Sequence, residues 1–174
     1  MRRPRKISPD YLYKVAIFYL ERYAASKEGV RRVLLRRIER AVRAGLAERD
    51  EAAAWVEPVI DRLLKAKLID DQTFAETKAL VLFRQGRPPG IIRRRLGALG
   101  VGEMEIDTAL AALCDDNKEM EIDAARTLVR RRRLGHFRPL EKREEFRQKD
   151  LSSMARAGFS FDVARRALAG EESD

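Results

Sequence analysis

The chain has 174 residues, of which 37 are Lys or Arg and 28 are Asp or Glu, giving a formal net charge of +9. This length suits one domain or a few small units sharing a core, and a 45% hydrophobic content argues against wholesale disorder. One Cys and one His exclude an internal disulfide and an ordinary Cys/His zinc site. No apolar run approaches the ~18 residues of a membrane span. We therefore predict a soluble, cytoplasmic, monomeric protein that is not an enzyme and carries no cofactor.

The first third of the chain predicts three helices. Ser8-Pro9 is typical of an N-cap followed by proline in the first turn. Helical spacing then places one set of side chains on a buried face: Leu12, Ala16, Tyr19 and Tyr23. A second face, ended by Gly45, comprises Val30, Leu34, Ile38 and Ala41. A third comprises Val59, Ile60, Leu63 and Leu64, where Pro58 either kinks a longer helix that includes Trp55 or begins a shorter one.

The remaining two thirds repeat this rhythm. Asp71 is expected to cap a helix ending at Gly86, and a turn over 87–90 precedes a short helix stopped by Gly100. Further helices follow, separated by a loop over 134–139 and ended by Gly158. The apolar positions that define these helices are Ala75, Ala79, Leu82, Ile92, Leu96, Leu99, Ile106, Leu110, Leu113, Ile122, Ala125, Val129, Phe146, Leu151, Met154, Ala164 and Leu168. No strand pattern of useful length appears, so the fold class is all-α, with about nine helices.

The chain also resembles itself at a shift of 58 residues. Gly100-Val101 stands ten residues before Leu110, as Gly158-Phe159 stands ten residues before Leu168, and each leucine follows an alanine. This order predicts three tandem three-helix repeats that bury faces against their neighbours. The predicted repeats are 9–69, with a segment inserted near 47–55, then 70–116, then 117–170.

Carboxylate pairs are the residues most typical of acid–base or metal chemistry. Asp70-Asp71 and Asp115-Asp116 both lie at predicted helix boundaries, where Asp accepts backbone N–H bonds. Without His, Glu or loop glycines at ligand spacing, capping is the better interpretation, and a divalent-metal enzyme has little support. His136 is interpreted as a loop or packing residue and Cys114 as a small buried hydrophobe.

Arginine clusters are the strongest functional signal, because 28 of the 37 basic residues are Arg. Arg offers a planar donor fork for phosphate or carboxylate, although codon bias and solvated helix faces remain alternatives. Clusters recur in all three predicted repeats. The candidate partner- or DNA-binding residues are Arg32, Arg36, Arg40, Arg43, Arg93, Arg94, Arg95, Arg130, Arg131, Arg132 and Arg133. Adjacent arginines on a helix point about 100° apart, so some contact a partner and others bridge neighbouring helices.

The charge is unevenly distributed. Residues 1–50 carry a net +8, 51–120 a net −2, and 121–174 a net +3. A uniform nucleic-acid groove would be basic throughout, so this pattern favours a partner that is partly anionic backbone and partly protein. Aromatic stacking platforms are not evident, and we expect the rings to pack in the core. These are Tyr11, Tyr13, Phe18, Tyr19, Tyr23, Phe83, Phe137 and Phe159.

Three motifs stand out along the chain: Tyr19-Leu20 with Arg22, the segment Leu68–Ala75, and Gly90-Ile91-Ile92-Arg93-Arg94-Arg95-Leu96 leading to Gly100-Val101. Together they resemble the RecX family, whose members regulate the bacterial RecA recombinase. Arg130–Gly135 and Lys149–Leu168 resemble the third repeat of that family. The likeness covers about residues 11–169. Gly29-Val30, where an acidic residue followed by Leu is commoner, and the segment near 47–55 depart from it.

The resemblance implies an elongated, curved array of three-helix repeats that lies along the RecA filament on DNA. It further implies restraint of ATP hydrolysis, strand exchange and the coprotease activity behind the SOS response. DNA would then be contacted through the filament, with direct contact left open. The alternative is a general DNA- or RNA-binding helical protein that acts through Arg–phosphate contacts.

Overall fold

The computed structural model describes residues 7–113 and 117–170, so Cys114 and the Asp115-Asp116 pair lie outside the described residues. Within these ranges the chain is helical and contains no strand, which confirms the all-α prediction. The described ranges hold ten α-helices: α1 Pro9–Leu20, α2 Lys27–Arg43, α3 Arg49–Ala54, α4 Val56–Lys65, α5 Asp71–Arg84, α6 Pro89–Ala98, α7 Glu103–Ala111, α8 Asn117–Arg132, α9 Leu140–Ala157 and α10 Phe161–Ala169. A short 3-10 helix, Gly135–Phe137, lies between α8 and α9.

The helices form two compact units. The first comprises the described residues up to Phe74 together with Leu99–Gly102, and the second comprises Ala75–Ala98 and the described residues from Glu103 onward. The predicted boundaries of the three repeats stay a prediction. The segment near 47–55 contains the extra helix α3.

Helices α1 to α4 build the core of the first unit. Its fully or nearly fully buried side chains follow helical spacing, as predicted: Leu12, Ala16, Val30, Leu34, Ile38, Val59, Ile60 and Leu63. Pro58 does not kink a longer helix. Helix α3 ends before Trp55 and α4 starts directly after it, so Pro58 lies in the first turn of a shorter helix. Proline is tolerated there since the first helical turn needs no backbone N–H donor.

Three side chains of the first unit were predicted to be buried and are exposed. Helix α1 ends at Leu20, so Tyr23 lies beyond it and is 58% exposed. Phe18 is 57% exposed, because it lies on the face of α1 opposite Leu12 and Ala16. Leu64 is also exposed, one position past the buried Leu63.

The second unit is centred on α8, α9 and α10. Its core comprises Ile122, Ala124, Ala125, Leu128, Val129, Leu134, Met154, Ala157, Phe159, Ala164 and Ala167. Phe159 is buried and Phe83 packs against this core, as expected, but Phe137 is 44% exposed. The side chain of Phe137 instead lies beside the ring of His136, with ring centroids 4.1 Å apart.

The positions matched at a shift of 58 residues share a local conformation. Gly100 and Gly158 have φ of +79° and +97°, in the left-handed region where glycine carries no steric penalty. Val101 and Phe159 follow them and are both buried. The sequence similarity therefore marks two copies of one helix-ending turn.

The capping prediction for the first Asp pair is correct in kind but names the wrong residue for α5. Asp70 caps α5, accepting from the Thr73 amide (3.1 Å) and the Thr73 hydroxyl (2.8 Å). These bonds hold the pKa of Asp70 below its usual value. Asp71 instead accepts from the backbone N–H of Lys27 at 2.6 Å, at the start of α2. The described residues hold no group of three His, Cys, Asp or Glu placed for a metal ion.

Candidate functional site

The first arginine cluster forms a stripe along α2. Ser26 begins this helix: its hydroxyl accepts from the Gly29 amide at 3.0 Å and donates to the Leu99 carbonyl at 2.5 Å. The buried face passes through Val30, Leu34 and Ile38. Four arginines at steps of four, four and three therefore lie together on the exposed side: Arg32, Arg36, Arg40 and Arg43.

The four arginines of the stripe differ in whether they already bond within the protein. Arg32 pairs with Glu28 at 3.1 Å, and the adjacent Arg31 bonds both Glu28 and Glu57. The Arg31 donors lower the pKa of Glu57, mainly through these direct hydrogen bonds. Arg36, Arg40 and Arg43 are exposed and have no ion pair within the described part of the chain. Their charge is therefore free to meet an anionic partner.

A groove between α1 and α2 adjoins this stripe. Its volume is about 500 Å³, and Arg36 and Arg40 are joined on its lining by Lys14 and Arg37. Arg37 donates to the Tyr11 hydroxyl and lies over that ring at 5.2 Å. The candidate list predicted from the sequence omitted Lys14 and Arg37. Arg37 belongs to the same basic cluster on α2, and Lys14 lies four residues before Phe18 on one side of α1.

The second cluster lies on α6. Arg93 is held by two carboxylates of α7, donating to Glu103 at 2.7 Å and to Asp107. Asp107 is the main reason that the pKa of Arg93 is raised. Arg94 and Arg95 point elsewhere, are exposed and have no partner among the described side chains. The triplet thus divides into one bridging arginine and two available ones, as the fan of side chains predicts.

The third cluster ends α8. Arg131 donates to the Gln85 carbonyl at 2.5 Å and Arg132 donates to the Ser153 hydroxyl at 3.0 Å. Arg133 adopts φ of +52°, which lets the Leu134 amide close the helix on the Val129 carbonyl at 3.0 Å. The side chains of Arg130 and Arg133 have no partner in the described ranges.

Within the described ranges, seven of the eleven candidate arginines have no partner and are called available, and four already bond within the protein. The available ones are Arg36, Arg40, Arg43, Arg94, Arg95, Arg130 and Arg133. Those on α2 belong to the first unit and the rest to the second. Binding by any of them stays a prediction.

Sequence reasoning missed a charge network that shapes the loop before α9. Asp150 is 2% exposed and accepts from the Gly135 amide at 2.9 Å and from Arg138 at 2.7 and 2.8 Å. The Arg138 guanidinium also lies over the Phe146 ring at 4.5 Å. Nearby, His136 Nδ1 is buried with no hydrogen-bond partner in the described structure, and the His136 ring packs beside Phe137. The hydrogen bonds of Asp150 join residues 12 to 15 apart. The one sequence signal for them is a charged residue on the apolar side of α9.

No protein-family model matches the chain. It is 42% identical over 169 residues to the regulatory protein RecX of Myxococcus xanthus (strain DK1622), covering 96% of this chain and 89% of that protein. It is 32% identical to the regulatory protein RecX of Halorhodospira halophila (strain DSM 244 / SL1), covering 86% and 92%.

Solved structures give the same result. A crystal structure of regulatory protein RecX aligns with a TM-score of 0.60 at 25% identity, covering 94% of this chain and 72% of that chain. A crystal structure of RecX from Lactobacillus salivarius aligns with the same TM-score at 17% identity, a likeness of fold alone. No described helix is long and apolar enough to cross a membrane. On the extent of the identity to the Myxococcus protein, the chain belongs to the RecX family of regulatory proteins.

Proposed function

We propose that the protein binds the RecA filament on DNA and restrains its ATP hydrolysis, strand exchange and coprotease activity, in recombination and the SOS response. It acts in the cytoplasm as a monomer. Family membership, at 42% identity over 96% of the chain, is the observation that carries this proposal. The seven available arginines support it, since a filament presents phosphate and protein carboxylate together and Arg bonds both in bidentate fashion.

Several modest contacts suffice for such a regulator. Available arginines occur on α2, on α6 and at the end of α8, so three helices offer cations. A filament repeats its binding surface, and contacts made in parallel raise the overall affinity without any single strong site. The protein is therefore expected to act below one copy per recombinase subunit.

The test adds the purified protein, below stoichiometric ratio, to cognate RecA on single-stranded DNA with ATP. ATP hydrolysis and strand exchange should fall, and the protein should co-sediment with filaments. No change in either activity together with no co-sedimentation would refute the proposal. A steep loss of binding with salt on naked DNA, with no preference for recombinase-coated DNA, would instead identify a general DNA binder.

The structure also selects the variant. Arg94→Glu with Arg95→Glu removes two available cations, whereas Arg93 must be left intact because it holds Glu103 and Asp107. The double variant should co-sediment less while its helical circular dichroism stays unchanged. Lys78→Glu with Arg84→Glu, an equally large charge reversal at exposed positions of α5, is the control. Equal co-sedimentation by the two variants would show that the α6 pair is only a solvated face.

A further inference from the structure

The groove between α1 and α2 is lined by apolar side chains and aromatic rings as well as by cations. Val15 and Val33 contribute apolar surface to its lining, and Phe18 and Tyr19 contribute rings. Phe18 is 57% exposed, although full burial of such a side chain would be worth about 2 kcal/mol or more. Leu12 and Ala16 form the buried side of α1, so the Phe18 ring lies outside the core of the first unit.

The rim of the groove carries charge of one sign. Lys14, Arg36, Arg37 and Arg40 line it, and no carboxylate is among the described lining residues. Arg36 and Arg40 are one turn apart on α2, so their positions differ by about 6 Å along the helix axis. This arrangement is complementary to a linear anion and not to a single small one.

The rings are arranged for stacking. Arg22 covers one face of Phe18, with its guanidinium carbon 4.3 Å from the ring centroid. Tyr19 and Tyr23 form a further pair with centroids 5.2 Å apart, and Tyr23 is 58% exposed. Arginine and aromatic faces are the two kinds of surface on which bases of single-stranded nucleic acids stack. An acidic peptide would satisfy the cations, but it offers no planar group at each residue for the rings.

We infer that the α1–α2 groove is a binding site for single-stranded nucleic acid, with bases stacked on Phe18 and phosphates held by Lys14, Arg36 and Arg40. Duplex DNA does not fit this role, because its bases are stacked on one another and are closed to the rings. The inference goes beyond the proposed function, and its strand-binding measurements use no recombinase, so either can fail alone.

The first experiment uses the unmodified protein and fluorescence anisotropy. A labelled (dT)20 strand is compared with an abasic strand of the same length and with a 20-base-pair duplex. Stacking contributes about 1–3 kcal/mol per base, so the abasic strand should bind between about 5- and 150-fold more weakly. Equal affinity for the normal and abasic strands would overturn the inference, since phosphate contact alone would then explain binding.

Variants locate the site. Phe18→Ala should weaken (dT)20 binding at least about fivefold and leave abasic binding unchanged, while Phe18→Trp should retain binding. Phe161→Ala is the matched control, because Phe161 is 70% exposed and belongs to the second unit. Both phenylalanines are exposed, so neither alanine variant should alter the circular dichroism.

The contribution of the arginines is measured by the salt dependence of binding. Arg36→Gln with Arg40→Gln should reduce the slope of log affinity against log salt by about 1.4, or about 0.7 for each phosphate contact on a single strand. An unchanged slope, or wild-type affinity of Phe18→Ala for (dT)20, would overturn the inference. If Phe18→Ala impaired only co-sedimentation with recombinase filaments, the groove would be a protein contact, which also overturns it.

Discussion

Asp150 shows how one buried charge organises a loop. Among the described residues it is the one acidic or basic side chain that is almost completely buried. Burial acting alone would raise the pKa of Asp150, but the Arg138 guanidinium and the Gly135 amide outweigh it and hold that pKa below its usual range. The carboxylate thereby joins α9 to the loop between α8 and α9, with three hydrogen bonds.

Replacing this carboxylate should be costly. Asp150→Asn keeps the size of the side chain but removes its negative charge and one of its two accepting oxygens. It therefore cannot accept all the hydrogen bonds that Arg138 and Gly135 donate to the carboxylate. We expect the free energy of unfolding to fall by about 2–3 kcal/mol at pH 7, measured by urea denaturation. Glu144→Gln, which removes an exposed carboxylate 3.6 Å from Arg147, should change it by less than about 1 kcal/mol.

The pH dependence of this difference is a further check on the same variant. Because folding lowers the pKa of Asp150, its stabilisation is complete above the pKa of the unfolded chain, about 4. It is lost as the pH falls through the lower folded-state pKa. The gap between wild type and Asp150→Asn should therefore be constant at neutral pH and narrow below about pH 4. A gap that stays constant down to pH 2 would show that the charge is not what stabilises the loop.

At the scale of helices, the residues at the helix ends determine where each helix starts and stops. Gly45, Gly86, Gly100 and Gly158 all have positive φ, and each lies where a helix was predicted to stop. Gly100 has a second constraint, since a Cβ there would overlap Cβ and Cγ of Glu28. The start of α2 is held by Ser26 and Asp71, which both bond groups far away in the sequence.

Two alanine substitutions three residues apart should have opposite effects. Gly100→Ala combines a positive φ of +79° with the overlap on Glu28, so we expect a loss of about 2–4 kcal/mol in the free energy of unfolding. Gly97→Ala, inside α6 with open space around its Cβ, should gain about 0.5–1 kcal/mol. Thermal and urea denaturation check both. A Gly100→Ala protein as stable as wild type would show that Glu28 moves aside freely.

At the scale of the whole molecule, the net charge and the positions of the charges have separate effects on partner binding. Residues 1–50 carry +8 of the net +9, and α2 alone holds Arg36, Arg40 and Arg43 as available cations. Long-range attraction depends on total charge, whereas a binding surface depends on where the charges lie. The two contributions predict different outcomes for variants of equal net charge.

Two triple variants make this comparison, each lowering the net charge by three. Arg36→Gln, Arg40→Gln and Arg43→Gln should strongly reduce co-sedimentation with recombinase filaments at 150 mM salt. Lys65→Gln, Lys78→Gln and Arg84→Gln should reduce it only slightly, because these exposed residues lie on α4 and α5. Equal losses would mean that net charge alone governs binding. Unchanged circular dichroism in both variants is the control for folding.

The local features of this protein could be predicted from its sequence. Helical spacing identified the buried positions of α2, and glycine and proline marked the turns, because these depend on neighbours three or four residues away. Arginine clusters were equally visible, and adjacent side chains on a helix had to point in different directions.

Only the tertiary structure decided which of those charges are available. Arg93 and Arg94 are neighbours of identical chemistry, yet Arg93 meets Glu103 and Asp107 while Arg94 meets no partner in the described chain. Phe18 was expected in the core and instead lines a groove. Whether a side chain is paired or exposed depends on which helix faces pack together. Contacts between distant segments cannot be predicted from the spacing of residues along the sequence. Sequence therefore determined the helices, their ends and the family, whereas tertiary packing determined the surface that remains for a partner.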